Sequence, residues 1–224
     1  RVLLALLHRL WEGLERSGER RRLEYVEVGV AHGSTALFLL ERLPWLSAHL
    51  VDPYDKAGLG DTSGGLRTQR EAVERAIRRF PGRARLLPME SAEAALEFGR
   101  RGSVVDAVFI DGDHSHEGVS ADLQAWGKNL RPGGLLAGHD FSWEHPGVLE
   151  AVLAHRAGRE VTLGPDHTFF WRSGSGPRDH RDPQLRDGDV GSRWCRGPSV
   201  PGSSDRWLVG ASPSYSNSSA DCDA

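Results

Sequence analysis

The chain has 224 residues, 38% hydrophobic and 26% charged, the balance of a globular protein with one sizeable domain. Its formal charge of −3 gives no basic field for a nucleic-acid backbone, and no run approaches the roughly 20 apolar residues of a membrane span. Neither a nucleic-acid partner nor a membrane is therefore expected, and the arginines at 20–22 and 78–85 read as solvated helix ends and loops.

Both cysteines, Cys195 and Cys222, lie in a polar carboxyl-terminal stretch, so no disulfide staples the core and nothing points to an oxidising compartment. A cytoplasmic location is the expectation. The chain begins at Arg1 and its only methionine is Met89, so a further amino-terminal segment is expected upstream. The apolar run VLLALL is followed at once by His8 and Arg9 with no small-residue cleavage site, unlike a signal peptide.

In chain order, Val2, Leu3, Leu6, Leu7, Leu10, Trp11 and Leu14 recur at helical spacing, and the chain opens with an amphipathic helix. LEYVEVG reads as a buried strand ending on a glycine, followed by a helix over Ser34–Leu43 and a second strand, AHLVD. Leu66–Phe80 is helical, ARLLPM a third strand, Ala92–Arg101 helical, and VVDAVFID a fourth strand. A helix over Val119–Leu130, a fifth strand GLLAGHD and a helix over Val148–His155 follow. REVTLG and HTFFWR then close a hairpin across Gly164–Asp166. From Gly174 to Ala224 the chain holds five Leu and Val residues and no Ile or Phe. Such a segment cannot offset an ordering cost of roughly 1–2 kcal/mol per residue, and 174–224 reads as a disordered tail after a domain over 1–173.

Nearly continuous apolar strands alternating with helices imply an α/β fold, a doubly wound, mainly parallel sheet with a carboxyl-terminal antiparallel hairpin. Ligands of such sheets sit beyond the carboxyl ends of the strands, where strand order reverses. The first strand ends in EVGVAHGST, where Gly29 and Gly33 allow a tight turn or a close approach to a ligand. The second ends at Asp52, roughly 20 residues on, well placed for the hydroxyls of a ribose or, alternatively, a simple turn aspartate before Pro53. The glycine turn and the carboxylate together favour a nucleoside-containing cofactor. The glycine-rich loop DKAGLGDTSGG, Asp55–Gly65, is equally readable as a substrate lid or as a plain connector.

EVGVAHGST, VDPYD and VDAVFIDGDHSHEGVSADLQAWGKNLRPGGLLAGHDF resemble, in order, the motifs of class I S-adenosylmethionine-dependent methyltransferases. More narrowly they resemble the macrocin-type, metal-dependent O-methyltransferases, over about Glu24–Arg172. The resemblance implies a Rossmann-like methyltransferase fold. It puts the methionine part of the cofactor at Glu27, Gly29 and Gly33 with Ser34 nearby, the ribose at Asp52, the adenine by Glu90 and Ser91, and the pocket's close at Asp111 and Gly112.

Asp111 ends the fourth strand and Asp140 the fifth, and neighbouring strands lie about 4.8 Å apart, so the two carboxylates can converge on one ion. The resemblance places metal ligands at Asp111 and Asp140 and a third beside Asp140, where this chain has His139 instead of a carboxylate or amide. Oxygen ligands suit Mg²⁺, whereas an imidazole shifts preference toward ions such as Mn²⁺. His114 matches the position of the general base in that group. The plainer readings are that Asp113 and Ser115 cap the next helix, that Asp111 holds a turn, and that His116 is a solvated loop residue. His145 and His167 have no patterned partner.

The expected function is S-adenosylmethionine-dependent methylation of an oxygen on a small molecule, assisted by a divalent metal and a histidine base. The partner is a small hydroxyl acceptor, and a homo-oligomer is a compatible assembly. The alternative is a catalytically degenerate methyltransferase fold that binds a partner, suggested by His139 and by the long tail.

Overall fold

The computed structural model describes residues 2–54, 65–156 and 158–174. All of them belong to the first of the chain's two units, Arg1–His180. The proposed lid, apart from Gly65, and the tail beyond Gly174 lie outside the described residues.

Seven strands form one sheet: β1 (Leu23–Val28), β2 (Leu46–Val51), β3 (Ala84–Leu87), β4 (Val105–Ile110), β5 (Leu130–Gly138), β6 (Thr162–Leu163) and β7 (Phe169–Arg172). Their order is β3-β2-β1-β4-β5-β7-β6. The first five run parallel, while β7 pairs antiparallel with both β5 and β6. The order reverses between β1 and β4, which opens a crevice at their carboxyl ends.

The helices are α1 (Val2–Arg16), α2 (Ser34–Arg42), α3 (Gly65–Ile77), α4 (Ser91–Arg100), α5 (His116–Gly127) and α6 (Pro146–His155). The period of two along each strand divides the core between the faces of the sheet. Tyr25 on β1 and Phe109 on β4 pack with Leu7 of α1, Leu39 of α2 and Val73 of α3. Val26, Val28, Val108 and Ile110 pack on the other face with Ala94 of α4, Trp126 of α5 and Val152 of α6. Each fully buried Leu or Val contributes about 1.5–3 kcal/mol.

Several boundaries differ from the sequence pattern, two of them beside the strand ends that carry polar residues. α5 starts at His116 rather than Val119 because Ser115 is its N-cap, its hydroxyl accepting from the Gly118 N–H at 3.0 Å. The fifth strand begins at Leu130 and stops at Gly138, with a register shift opposite Val105 and Ala107, so His139 and Asp140 stand just beyond it. Asp140 has φ 60°, a left-handed conformation that ends the strand.

At the opposite end of β4, Asp106 is 3% exposed and is clasped by Arg21 through two bonds of 2.6 and 2.8 Å. The Glu24 N–H also donates to it at 2.8 Å. That network fixes the amino-terminal entries of β1 and β4 and leaves their carboxyl ends to carry function.

Candidate active site

The turn after β1 is held by backbone sterics. Gly29 has φ 82°, and a Cβ there would lie 2.1 Å from the Asp111 carbonyl oxygen, so the glycine is required by the meeting of β1 and β4. Asp52 draws the same turn onto β2: its Oδ2 accepts from the N–H groups of Val30 and Ala31, each at 2.9 Å, and its Oδ1 from Tyr54 N–H at 2.9 Å. Tyr54 also donates its hydroxyl to the Ala31 carbonyl at 3.0 Å. Gly33, with φ 74°, leads into α2, and Ser34 is the first residue of that helix. The carboxylate therefore organises the glycine turn as well as standing beside it, a role the sequence left open as a turn aspartate.

Glu27 is 2% exposed and accepts from the Tyr25 hydroxyl at 2.9 Å. Burial pushes its carboxyl up to about 8, against the opposing pull of that hydrogen bond, so it is largely protonated at neutral pH. Glu90 is the N-cap residue of α4 and Ser91 its first residue. Ser91 Oγ accepts from Trp126 Nε1 at 2.9 Å and also bonds the Asp122 carboxyl, which burial pushes up to about 6.

The second group of residues lies across β4 and β5. Asp111 N–H donates to the Val28 carbonyl at 2.8 Å and His139 N–H to the Ile110 carbonyl at 3.1 Å, so both residues continue the sheet by one rung. From Asp140 the chain turns back: Ser142 N–H reaches the Asp140 carbonyl at 2.7 Å, and His145 N–H the Ser142 carbonyl at 3.1 Å, before Pro146 starts α6. A Cβ on Gly147 would lie 2.5 Å from the His114 carbonyl oxygen, so the loop after β4 rests on the first turn of α6.

That contact brings two histidine rings together, with centroids 4.5 Å apart at 68°. Asp140 sits between the imidazoles: His114 Nε2 lies 3.0 Å from its Oδ2, while His139 Nδ1 at 3.0 Å and His145 Nε2 at 3.6 Å face its Oδ1. His139 Nδ1 is also 4.0 Å from Asp111 Oδ1. Burial pushes Asp111 up to about 6; His139 opposes the shift and Asp140 adds to it. Within each of two trios, Asp111/His139/Asp140 and His114/Asp140/His145, the donor atoms lie within 4.8 Å of one another. Ile110, Val119, Val148 and Phe169 form an apolar floor beneath Asp111, His114 and His139.

Asp113 holds the turn, its Oδ1 accepting from Ser115 N–H at 2.9 Å. His116 is the exposed first residue of α5. His145 belongs to the group although no motif pointed to it. The signal was a histidine directly before a helix-starting proline, five residues after Asp140.

The sequence matches the methyltransferase domain family over residues 26–141, the span from β1 to the loop after β5. The chain belongs to that family. It is a class I S-adenosylmethionine-dependent methyltransferase. No curated protein sequence matches it. Among solved structures it is similar to CalS11, the TDP-rhamnose 3'-O-methyltransferase of calicheamicin biosynthesis, with a TM-score of 0.55 and 16% identity over 77% of this chain and 80% of that one. The O-methyltransferase NovP is similar with a TM-score of 0.51 and 17% identity, over 75% and 78%. These likenesses are of fold.

The methyltransferase chain suits its cofactor in donor chemistry. The Asp52 carboxylate and the glycine turn it organises stand at the adjacent ends of β2 and β1. Among the described residues no helix is long and apolar enough to cross a membrane.

Proposed function

We propose that this methyltransferase is an O-methyltransferase of the macrocin-type group, acting on a hydroxyl of a small molecule with a divalent ion and His114 as base. The observation that carries this reading is the approach of His114 Nε2 to Asp140 Oδ2, 3.0 Å, beside Asp111 at the carboxyl ends of β4 and β5. The O-methyltransferase descriptions of CalS11 and NovP support oxygen as the acceptor atom.

Glu27, Gly29, Gly33, Ser34, Asp52, Ser91 and Asp111 would hold S-adenosylmethionine, which supplies a methyl group on a positively charged sulfur. Its leaving group needs no protonation, so the protein's work is alignment and removal of the acceptor's proton. Asp111, His139 and Asp140 would hold a divalent ion such as Mg²⁺ or Mn²⁺, which lowers the pKa of a coordinated hydroxyl. Asp140 fixes the His114 ring with its proton on Nε2, leaving the lone pair on Nδ1 to take the acceptor's proton. The same carboxylate stabilises the imidazolium that results. Trp143, exposed on the loop between Asp140 and His145, offers an aromatic face to a small acceptor.

Methylation of a panel of small hydroxyl compounds, with and without chelator, tests this reading. Activity abolished by chelation and restored by Mg²⁺ or Mn²⁺ is the expected result. Activity indifferent to chelator removes the ion from the mechanism, and methylation confined to nitrogen acceptors overturns the oxygen assignment. Calorimetric titration with S-adenosylmethionine tests the cofactor residues separately from the acceptor.

A further inference from the structure

The geometry points to a second divalent-ion site in this methyltransferase, built from His114, Asp140 and His145 and suited to a zinc-type ion rather than magnesium. It shares only Asp140 with the trio proposed for the reaction's own metal.

The donor chemistry differs between the two. Asp111, His139 and Asp140 offer two carboxylates and one imidazole, whereas His114, Asp140 and His145 offer two imidazoles and one carboxylate. Magnesium demands oxygen ligands in an octahedron and sheds its waters reluctantly, while two histidines and one carboxylate are a set that zinc takes with an open fourth position. Ligand atoms around a tetrahedral zinc, each about 2.0–2.1 Å from the ion, lie roughly 3.3 Å apart. Here His114 Nε2 is 3.0 Å from Asp140 Oδ2 and His145 Nε2 is 3.6 Å from Asp140 Oδ1, so modest ring rotations complete the set.

The site is also set by backbone packing. The fit of Gly147 against the His114 carbonyl oxygen, where a Cβ would lie 2.5 Å away, joins the loop after β4 to the start of α6. His145 is the N-cap residue of α6 and makes no side-chain capping bond, which leaves its imidazole available as a ligand. Asp140 is held by its left-handed backbone and by the Ser142 N–H that donates to its carbonyl at 2.7 Å.

An ion in this site has a consequence that rests on the base assigned to His114 above. Coordination through Nε2 moves the ring proton to Nδ1 and leaves no lone pair to accept a proton from the acceptor. Zinc bound here therefore inhibits methyl transfer.

The test uses Co²⁺ as the probe, titrated into the full chain without a polyhistidine tag and followed by visible absorption. The expected result is the d–d absorption of four- or five-coordinate Co²⁺, bleached by Zn²⁺ and unmoved by excess Mg²⁺. His145→Ala should weaken Co²⁺ binding by about tenfold or more, while His139→Ala leaves it within a factor of about two. Circular dichroism checks that both variants are folded. Absence of the bands, bands indifferent to His145→Ala, bands lost in His139→Ala, or a sulfur-to-cobalt charge-transfer band from Cys195 or Cys222 would each overturn the site. Cobalt binding as expected without zinc inhibition would keep the site and remove His114 as the base, so the two readings fail separately.

Discussion

His114 Nε2 and Asp140 Oδ2 are 3.0 Å apart although the residues lie on different loops, one after β4 and the other after β5. The pair exists because the two strands are parallel neighbours, with Ile110 opposite Gly138, and because Asp140 turns the chain back with φ 60°. A carboxylate held against an imidazole in this way fixes both the tautomer and the direction of the ring.

Removing the ring should therefore cost catalysis and spare cofactor binding. For His114→Ala, kcat is expected to fall by about 10²–10⁴ with the Kd for S-adenosylmethionine within a factor of about three of the parent. Steady-state kinetics and calorimetry read the two quantities separately. In a cycle with Asp140→Asn, the second substitution should cost less in the His114→Ala background than alone, by the part that acts through the base, while its part as a metal ligand is lost in both backgrounds. Fully additive losses would mean that Asp140 does not act through His114.

Asp52 makes a different prediction, because it accepts three backbone N–H groups within 2.9 Å. Asp52→Ala leaves those donors without their acceptor and loosens the glycine turn. The expected loss is about 1–3 kcal/mol of stability in denaturant titration, together with weakened cofactor binding. Unchanged stability would show that the turn is held by Gly29 and Tyr54 alone.

Gly29 and Gly112 separate sterics from ligand contact. A Cβ on Gly29 would meet the Asp111 carbonyl at 2.1 Å, whereas one on Gly112 would meet Val28 Cγ1 at 3.5 Å and the Gly29 backbone at 3.7 Å, ordinary contacts. Gly29→Ala should cost about 1–2 kcal/mol for its left-handed backbone alone, with the separation of two strand ends added. Gly112→Ala should melt close to the parent. Thermal melting without cofactor measures both, and a Gly29→Ala protein as stable as the parent would show that the strand ends yield.

The sheet was legible because its strands carry the period of two with little interruption: Tyr25 and Val26 point to opposite faces as the alternation requires. The strand-end residues Gly29, Asp52, Asp111 and Asp140 were legible for the same reason, since parallel topology gathers carboxyl ends at one edge. His145 was not. Its place depends on the tight return after Asp140 and on the seat that Gly147 gives the loop after β4, and both are tertiary facts without a periodic trace. The clasp of Arg21 on Asp106 was equally hidden, because nothing local links residues 85 positions apart. In sequence both Asp113 and Ser115 read as caps of the next helix; Ser115 is the N-cap, and Asp113 supports it by accepting from the Ser115 N–H and hydroxyl, each at 2.9 Å.

Glu27 yields a prediction about pH. Its carboxyl is raised by burial from 4.5 to about 8, so the native state keeps a proton that the unfolded chain releases. The contribution to stability is fully present below pH 4.5 and is lost as pH rises through about 8. Within that window one such group lowers stability by up to about 1.4 kcal/mol per pH unit. Asp111 and Asp122, both raised to about 6, act in the same direction at lower pH and are largely spent above it. Between pH 6 and pH 8 Glu27 is therefore the raised carboxyl still holding its proton. Glu27→Gln keeps an oxygen to accept from the Tyr25 hydroxyl but releases no proton. The parent's Tm should fall by several degrees across this interval, at about 2–4 °C per kcal/mol, and the variant's by distinctly less. Parallel melting curves against pH would show that Glu27 is already ionised in the native protein, with its charge met by Tyr25 and the start of α2.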